Sequence, residues 1–409
     1  ARAATPAMRF RMTYYLRLAS WWLAALQADG LRVGTFPGLS TSGDPTRVPS
    51  GEALELFSGH GAIDAPLWEG VDAEPDPEDV DVWLHMSHGS LKYMWMYLPV
   101  MRSLEQGMET IGAVTRIVDS RPSYTKAMLE GVHRATAKGR RPLLMTIGTH
   151  WANASTYENL ETCRRAGAYL VMYSTEPGDA TRVSKVAEQI GAREVWEYSL
   201  NNAQRYSVDF QQRVKVRVLP SGYARRMDFN VNLNAPERQE GKVGFLGRWQ
   251  GRPHNIQTLY TGMFGERFIS TYNAWNGHDV KVFVSRYPLQ LNVHQVESCC
   301  PRDPAKGTAM EALRMTLLLS NKACVVSTPV PEDERLPWEG IVHFAEANET
   351  AVVLERLRED VQGCQERSAK LYKERFDPLR LLRNSGFLSV WQPRNVTALH
   401  AALRSIEVA

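Results

Sequence analysis

Short apolar runs recur along the chain, each followed by a turn and then by a stretch with helical spacing. These runs predict strands over Leu31–Phe36, Val80–His85, Ala113–Val118, Leu143–Ile147, Tyr169–Ser174, Glu194–Tyr198 and Val214–Leu219. The intervening stretches Ser123–Ala137, Ser155–Ala166, Ala180–Ile190 and Asn202–Arg213 repeat apolar positions at the spacing of a helix face. Apolar strands alternating with helices imply a parallel sheet covered on both sides. The segment Pro37–Asp79 breaks the pattern and, rich in Gly, Pro, Ser and Asp, reads as an insertion.

A second series begins near residue 242, with strands expected over Val243–Leu246, Phe268–Tyr272, Val280–Val284, Gln290–Val293, Ala323–Ser327 and Ile341–Phe344. Its helices are expected over His254–Met263, Thr308–Leu319 and Thr350–Val361. The polar stretch Asp228–Gly241 lies between the two series as a hinge. The expectation is therefore an α/β chain of two Rossmann-like lobes facing each other across a cleft. Residues 1–227 form the first lobe, 228–364 the second, and 365–409 a helical tail able to cross back to the first.

Charge narrows the choice of partners. Lys and Arg number 48 against 45 Asp and Glu, a formal net charge of +3, so no strong basic footprint for nucleic acid is present. No apolar stretch reaches the roughly 18 residues of a membrane span. Tyr14–Leu26, interrupted by Arg17, reads as a buried first helix, with peripheral membrane contact as the alternative. The five cysteines, with no C-x-x-C pair among them, read as reduced thiols of a cytoplasmic protein. A first residue Ala1 is equally compatible with organelle import and removal of a presequence.

In open parallel sheets, ligands sit beyond the carboxyl ends of the strands. Two loops there carry suitable chemistry. Gly247-Arg248-Trp249-Gln250-Gly251-Arg252-Pro253 follows a predicted strand and leads into a helix, so Arg248 and Arg252 are candidates to meet an anion beside free helix amides. The second loop, Arg302-Asp303-Pro304-Ala305-Lys306-Gly307-Thr308, leads into Ala309-Met310-Glu311. Glu311 lies three residues after Thr308, the spacing of a capping box. Its carboxylate is also suited to accept both hydroxyls of a ribose, with Lys306 or Gly307 at the phosphates.

The segment Glu311-Ala312-Leu313-Arg314, followed by Leu318-Leu319-Ser320-Asn321-Lys322-Ala323-Cys324-Val325-Val326-Ser327, resembles the donor site of GT-B glycosyltransferases, the CgeB-like group in particular. Tyr169–Ser174 with Thr175-Glu176-Pro177, Glu194–Ser199, and Val218-Leu219-Pro220-Ser221-Gly222-Tyr223 follow in the order of that family, so the resemblance covers roughly residues 140–360. It departs at Asp303, where the E-x7-E pair of the family has its first Glu, and at Ser327-Thr328, where an acidic residue is common and where Glu332, Asp333 and Glu334 follow shortly as its expected substitutes.

The resemblance implies sugar transfer from a nucleotide-diphosphate sugar to an acceptor that the sequence leaves open, with no cofactor and no bound metal. Glu311 would hold the ribose, Arg248, Arg252, Lys306 and Gly307 the diphosphate, and Asp303 the sugar. The base would come from the first lobe, where His150 and Glu176 each follow a predicted strand. His85 and His88 lack a third ligand to make a metal site. The alternative is a non-catalytic protein of the same fold, acting as a structural subunit of a larger protein complex.

Overall fold

The computed structural model describes residues 80–87, 97–148, 152, 154–175, 180–247, 249, 252–271, 277–294 and 309–408. Its strands form two wholly parallel sheets. The first contains β1 (Val82–Met86), β2 (Thr115–Val118), β3 (Leu143–Ile147), β4 (Tyr169–Ser174), β5 (Glu194–Glu197) and β6 (Lys215–Val218), in the order β2-β1-β3-β4-β5-β6. The second contains β7 (Val243–Leu246), β8 (Phe268–Thr271), β9 (Leu289–Asn292), β10 (Cys324–Ser327) and β11 (Val342–Phe344), in the order β11-β10-β9-β7-β8. The α/β, two-sheet expectation is thus borne out.

Both sheets follow the same rule. The second strand lies outside the first, and the third returns to the first strand's other side, so the direction of winding reverses between β1 and β3 and between β7 and β9. Such switch points open a crevice between the loops that leave the two strands, at their carboxyl ends. Sheet faces are built by strict alternation. Leu143, Met145 and Ile147 enter one core while Leu144 enters another, and Val325 faces away from Cys324 and Val326. Burial on both faces explains why the strands read as continuous apolar runs.

The helices are α1 (Leu98–Thr110), α2 (Pro122–Ala137), α3 (Ala154–Arg165), α4 (Ala180–Ile190), α5 (Leu200–Ala203), α6 (Val208–Arg213), α7 (His254–Phe264), α8 (Gly277–Arg286), α9 (Ala312–Ser320), α10 (Glu332–Arg335), α11 (Thr350–Arg358), α12 (Val361–Arg375), α13 (Pro378–Asn384) and α14 (Val396–Val408). One hydrophobic core runs from β1 and β3 through α1 to Leu317 and Leu318 of α9 and on to Val325 of β10, so the two sheets share a packed middle layer. Polar ties reinforce it. Asn321 accepts from Phe229 N at 2.9 Å and donates to Met227 O at 2.8 Å, and Thr316 bonds Ser221 at 2.8 Å. The tail packs α13 and α14 against α1. A methyl at Gly107 would lie 2.8 Å from Leu382 Cδ1 and 3.1 Å from Pro378, so α13 can approach α1 only over a glycine.

Several expectations are corrected. Val280–Val284 is not a strand but part of α8, where Val280, Phe283 and Val284 share one buried face and Val282 is exposed. The β-branched valines suggest a strand, but the i, i+3, i+4 burial is a helix face, and packing overrides propensity. Asn202–Arg213 is two helices, because Ser207 caps α6 by accepting from Phe210 N. Helix α1 has no counterpart among the predicted elements, although Arg102, Glu105, Gln106 and Glu109 repeat at the spacing of a helix face; packing buries Arg102 and Glu105 with the apolar side chains. Cys324 and Cys364 form a disulfide, against the reading of all cysteines as thiols; their elements meet only in the tertiary fold. Leu31–Phe36, the 37–79 insertion and Tyr14–Leu26 lie outside the described residues. No helix among the described residues is long and apolar enough to cross a membrane.

Candidate functional site

The switch point of the second sheet gathers charged side chains. Strand β7 ends at Leu246 and β9 at Asn292, and α9 starts after the loop that leaves β9. Glu311 is itself the N-cap residue of α9, yet its side chain makes no capping hydrogen bond. The capping-box reading of Glu311 is therefore corrected: the helix begins at Ala312, so Glu311 precedes it instead of lying within its first turn. Thr308 lies outside the described residues.

The Glu311 carboxylate turns instead to two arginines. Arg314 Nη1 lies 2.7 Å from Oε2 and Arg252 Nη2 lies 3.3 Å from Oε1. Each guanidinium is anchored from behind. Arg314 donates to Leu246 O at 2.7 Å and to Asn292 Oδ1 at 2.6 Å, and Arg252 donates to Val293 O at 2.7 Å. Both stand against the Phe245 ring, 4.8 Å and 5.0 Å from its centroid. Gly247, at φ +141°, leaves space for this: a Cβ there would lie 3.1 Å from Arg314 Nη2.

Among the described residues, two guanidinium charges against one carboxylate leave a surplus positive charge at this strand edge. Burial, then the Arg314 charge beside it, brings Arg252 down to about 10, and burial also lowers Arg314. Both stay protonated at neutral pH, and among the described residues they meet no second counter-charge. His294, two residues past the end of β9, is buried with neither ring nitrogen hydrogen-bonded, and its Nδ1 lies 4.0 Å from Glu311 Oε1. Burial brings its pKa down to about 4, so it is neutral at neutral pH. The carboxylate of Glu311 keeps 27% of its side-chain surface open, so the charged group at the rim is the anion while its cations lie beneath.

The carboxyl edges of the two sheets meet here. Glu334 of α10, in the connection after β10, accepts a short hydrogen bond from Ser199 Oγ and one from Asn201 N at 2.8 Å, both just past β5. It also accepts from the backbone of Met310, next to Glu311. Close by, Glu197 at the end of β5 accepts from Tyr206 OH and, at 3.4 Å, from Asn202 Nδ2.

Burial pushes the Glu197 carboxyl up from 4.5 to about 7. The folded protein thus holds this proton to higher pH than the unfolded chain does. Its contribution is complete below pH 4.5 and declines as pH rises to about 7, by roughly 3 kcal/mol. Glu197→Gln is expected to flatten the fall of stability between pH 5 and pH 7 in urea unfolding curves; an unchanged slope would assign that titration elsewhere.

The structure brings Arg252 and Glu311 together as the sequence placed them at one strand edge. It adds Arg314, Asn292 and His294, to which the sequence gives no role, and it engages Glu334, one of the acidic residues expected to stand in after Ser327-Thr328, with Ser199 and Asn201. Only the i, i+3 spacing of Glu311 and Arg314 signalled one of those three in advance. His150, Glu176, Arg248, Asp303, Lys306 and Gly307 lie outside the described residues. His85 bonds Thr146 Oγ1 at 3.2 Å and faces Ser120 Oγ at 3.4 Å, which makes it a hydrogen-bonded core histidine, neutral because burial takes it to about 4.

No protein-family model matches this chain, and no curated protein matches it. Among solved structures, it is similar to the apo form of a lipopolysaccharide outer core galactosyltransferase, WaaB, at 11% identity and TM-score 0.37, over 75% of this chain and 99% of that one. A periplasmic sugar-binding protein of an ABC sugar transporter from Legionella pneumophila gives 11% identity and TM-score 0.22, over 68% and 96%. A 5-methylthioribose transporter solute-binding protein from Thermotoga lettingae gives 9% and 0.22, over 80% and 99%. At such TM-scores, function has to be argued from the residues of this chain itself.

Proposed function

We propose that the chain is a glycosyltransferase of GT-B type that takes a nucleotide-diphosphate sugar at the switch point of its second sheet. The supporting observation is the Glu311 carboxylate, uncommitted to capping, open at the rim and fixed by two buried arginines in a site with surplus positive charge. A carboxylate oxygen accepts more than one hydrogen bond, so Glu311 can receive ribose hydroxyls while Arg252 and Arg314 hold its orientation. Those arginines act as positioning groups. Their heads are engaged with Glu311 and backbone oxygens, and they reach a diphosphate through their field.

The diphosphate would lie at the amino end of α9, where first-turn amides lack intrahelical partners and the helix dipole is positive. There the leaving diphosphate gains charge as the glycosidic bond breaks, and preorganised donors stabilise it most at that moment. Arg248, Lys306 and Gly307 complete the diphosphate site in this reading, Asp303 contacts the sugar, and His150 or Glu176 takes the acceptor proton. Glu334 holds the two carboxyl edges together, which brings acceptor and donor loops to one place.

The reading is tested by thermal stability with UDP, GDP and ADP. A ligand confined to the native state at 100 times its dissociation constant stabilises by about 2.7 kcal/mol. One of the three is expected to raise the transition clearly. A folded protein indifferent to all of them would remove the donor site and favour the non-catalytic alternative.

A further inference from the structure

We propose that Cys324, Cys364 and His343 form a thiolate–imidazole metal site in the reduced protein, taking a zinc-class ion in place of the disulfide. This site lies apart from the nucleotide-sugar site, since Cys324 opens β10 at the end opposite Ser327. Three elements converge on it: β10 supplies Cys324, β11 supplies His343, and the first turns of α12 supply Cys364. Both cysteines are buried. His343 Nε2 lies 3.5 Å from Cys364 Sγ, and one donor atom from each of the three residues falls within 4.8 Å of the others.

A disulfide alone needs no third donor. Here an imidazole nitrogen from a separate strand is directed at one of the sulfurs, which is the arrangement a metal requires. With metal–sulfur and metal–nitrogen bonds of about 2.3 and 2.0 Å, donor atoms of a tetrahedral site stand about 3.5–3.8 Å apart. His343 is already at that distance from Cys364, so opening the S–S bond is the main adjustment. The Cα–Cα separation of 5.6 Å keeps the two sulfurs able to share one ion after the bond opens. Neutral imidazole is the form of His343 that would ligate. Two thiolates and one imidazole are a soft donor set that selects zinc or copper(I) over magnesium or calcium, and a solvent molecule can fill the fourth position.

A trialkylphosphine reduces the disulfide to two thiols, becoming the phosphine oxide with oxygen from water. The divalent ion then displaces both thiol protons, and the resulting site carries no net charge from ion and thiolates together.

The test uses the full chain, reduced with a trialkylphosphine under argon and titrated with cobalt(II) as a spectroscopic substitute for zinc. Near-UV circular dichroism establishes that the reduced chain is folded. Expected are one cobalt per chain, intense visible bands of a tetrahedral thiolate site, and their loss on adding zinc. The Cys324→Ser, Cys364→Ser double variant should lose the bands. His343→Ala, which leaves the disulfide intact and hence the oxidised fold, should weaken cobalt binding at least about tenfold and alter the spectrum. The proposal is overturned if the folded, reduced chain shows no bands, if the bands survive in the double variant, or if His343→Ala binds cobalt unchanged.

Discussion

Replacing Arg314 by Met is expected to lower the unfolding free energy by roughly 3–5 kcal/mol, the range for breaking one side of a buried ion pair. The guanidinium is 6% exposed and holds three acceptors together: Leu246 O, Asn292 Oδ1 and Glu311 Oε2. Methionine keeps much of the volume but leaves two buried acceptors without this donor. The loss should fall toward the lower end, because Glu311 keeps Arg252 and access to water at the rim. Arg314→Lys should restore little, since a single ammonium cannot reach all three acceptors in the plane of a guanidinium. Chemical denaturation of both variants is the check. A Lys variant as stable as the native protein would show that Arg314 acts as a charge alone.

The disulfide gives the second large effect. Cys324 and Cys364 are 40 residues apart, and closing a loop of that length restricts the unfolded chain by roughly 4 kcal/mol in the chain-entropy account. Cys324→Ser should therefore lose about that much stability under oxidising conditions, with wild type brought close to it by reduction. Zinc added to the reduced wild type should recover part of the difference by binding the folded state, and should do nothing for the serine variant. Equal unfolding curves for oxidised and reduced wild type, without metal, would mean that the folded protein does not depend on this link. The bond has a further consequence: a persistent buried disulfide belongs to an oxidising compartment, and the dithiol form to a reducing one.

Much of the fold is legible in the sequence because parallel strands buried on both faces are largely apolar. Leu143–Ile147, Tyr169–Ser174 and Val243–Leu246 are read to their exact ends. What misleads is local propensity where packing decides otherwise. Val280–Val284 has valines that favour a strand, yet a helix presents three of its residues to the core. Helix α1 does carry the signal, with Arg102, Glu105, Gln106 and Glu109 at i, i+3, i+4 and i+7, but sheet and tail helices pack around it, so Arg102 and Glu105 of that polar face are buried as well.

The site is half legible. Glu311 and Arg252 stand out because the ends of strands and the starts of helices can be located from the pattern alone. Arg314, His294 and Asn292 do not, because each takes its meaning from a neighbour on another element. Arg314 looks like an ordinary helix cation until β7 and β9 place Leu246 O and Asn292 beneath it. The disulfide is hidden in the same way, joining a strand to a helix that the sequence separates by 40 residues.

The central claim is that Glu311 holds the ribose of a nucleotide-diphosphate sugar. Isothermal titration of UDP, GDP and ADP into the native protein and into Glu311→Gln tests it most directly. The amide keeps the shape of the side chain and removes the charge and an acceptor. One nucleotide should bind the native protein and lose at least about tenfold in affinity, or 1.4 kcal/mol, to the folded variant. Equal affinity in both proteins, or no binding of any nucleotide to folded native protein, would contradict it.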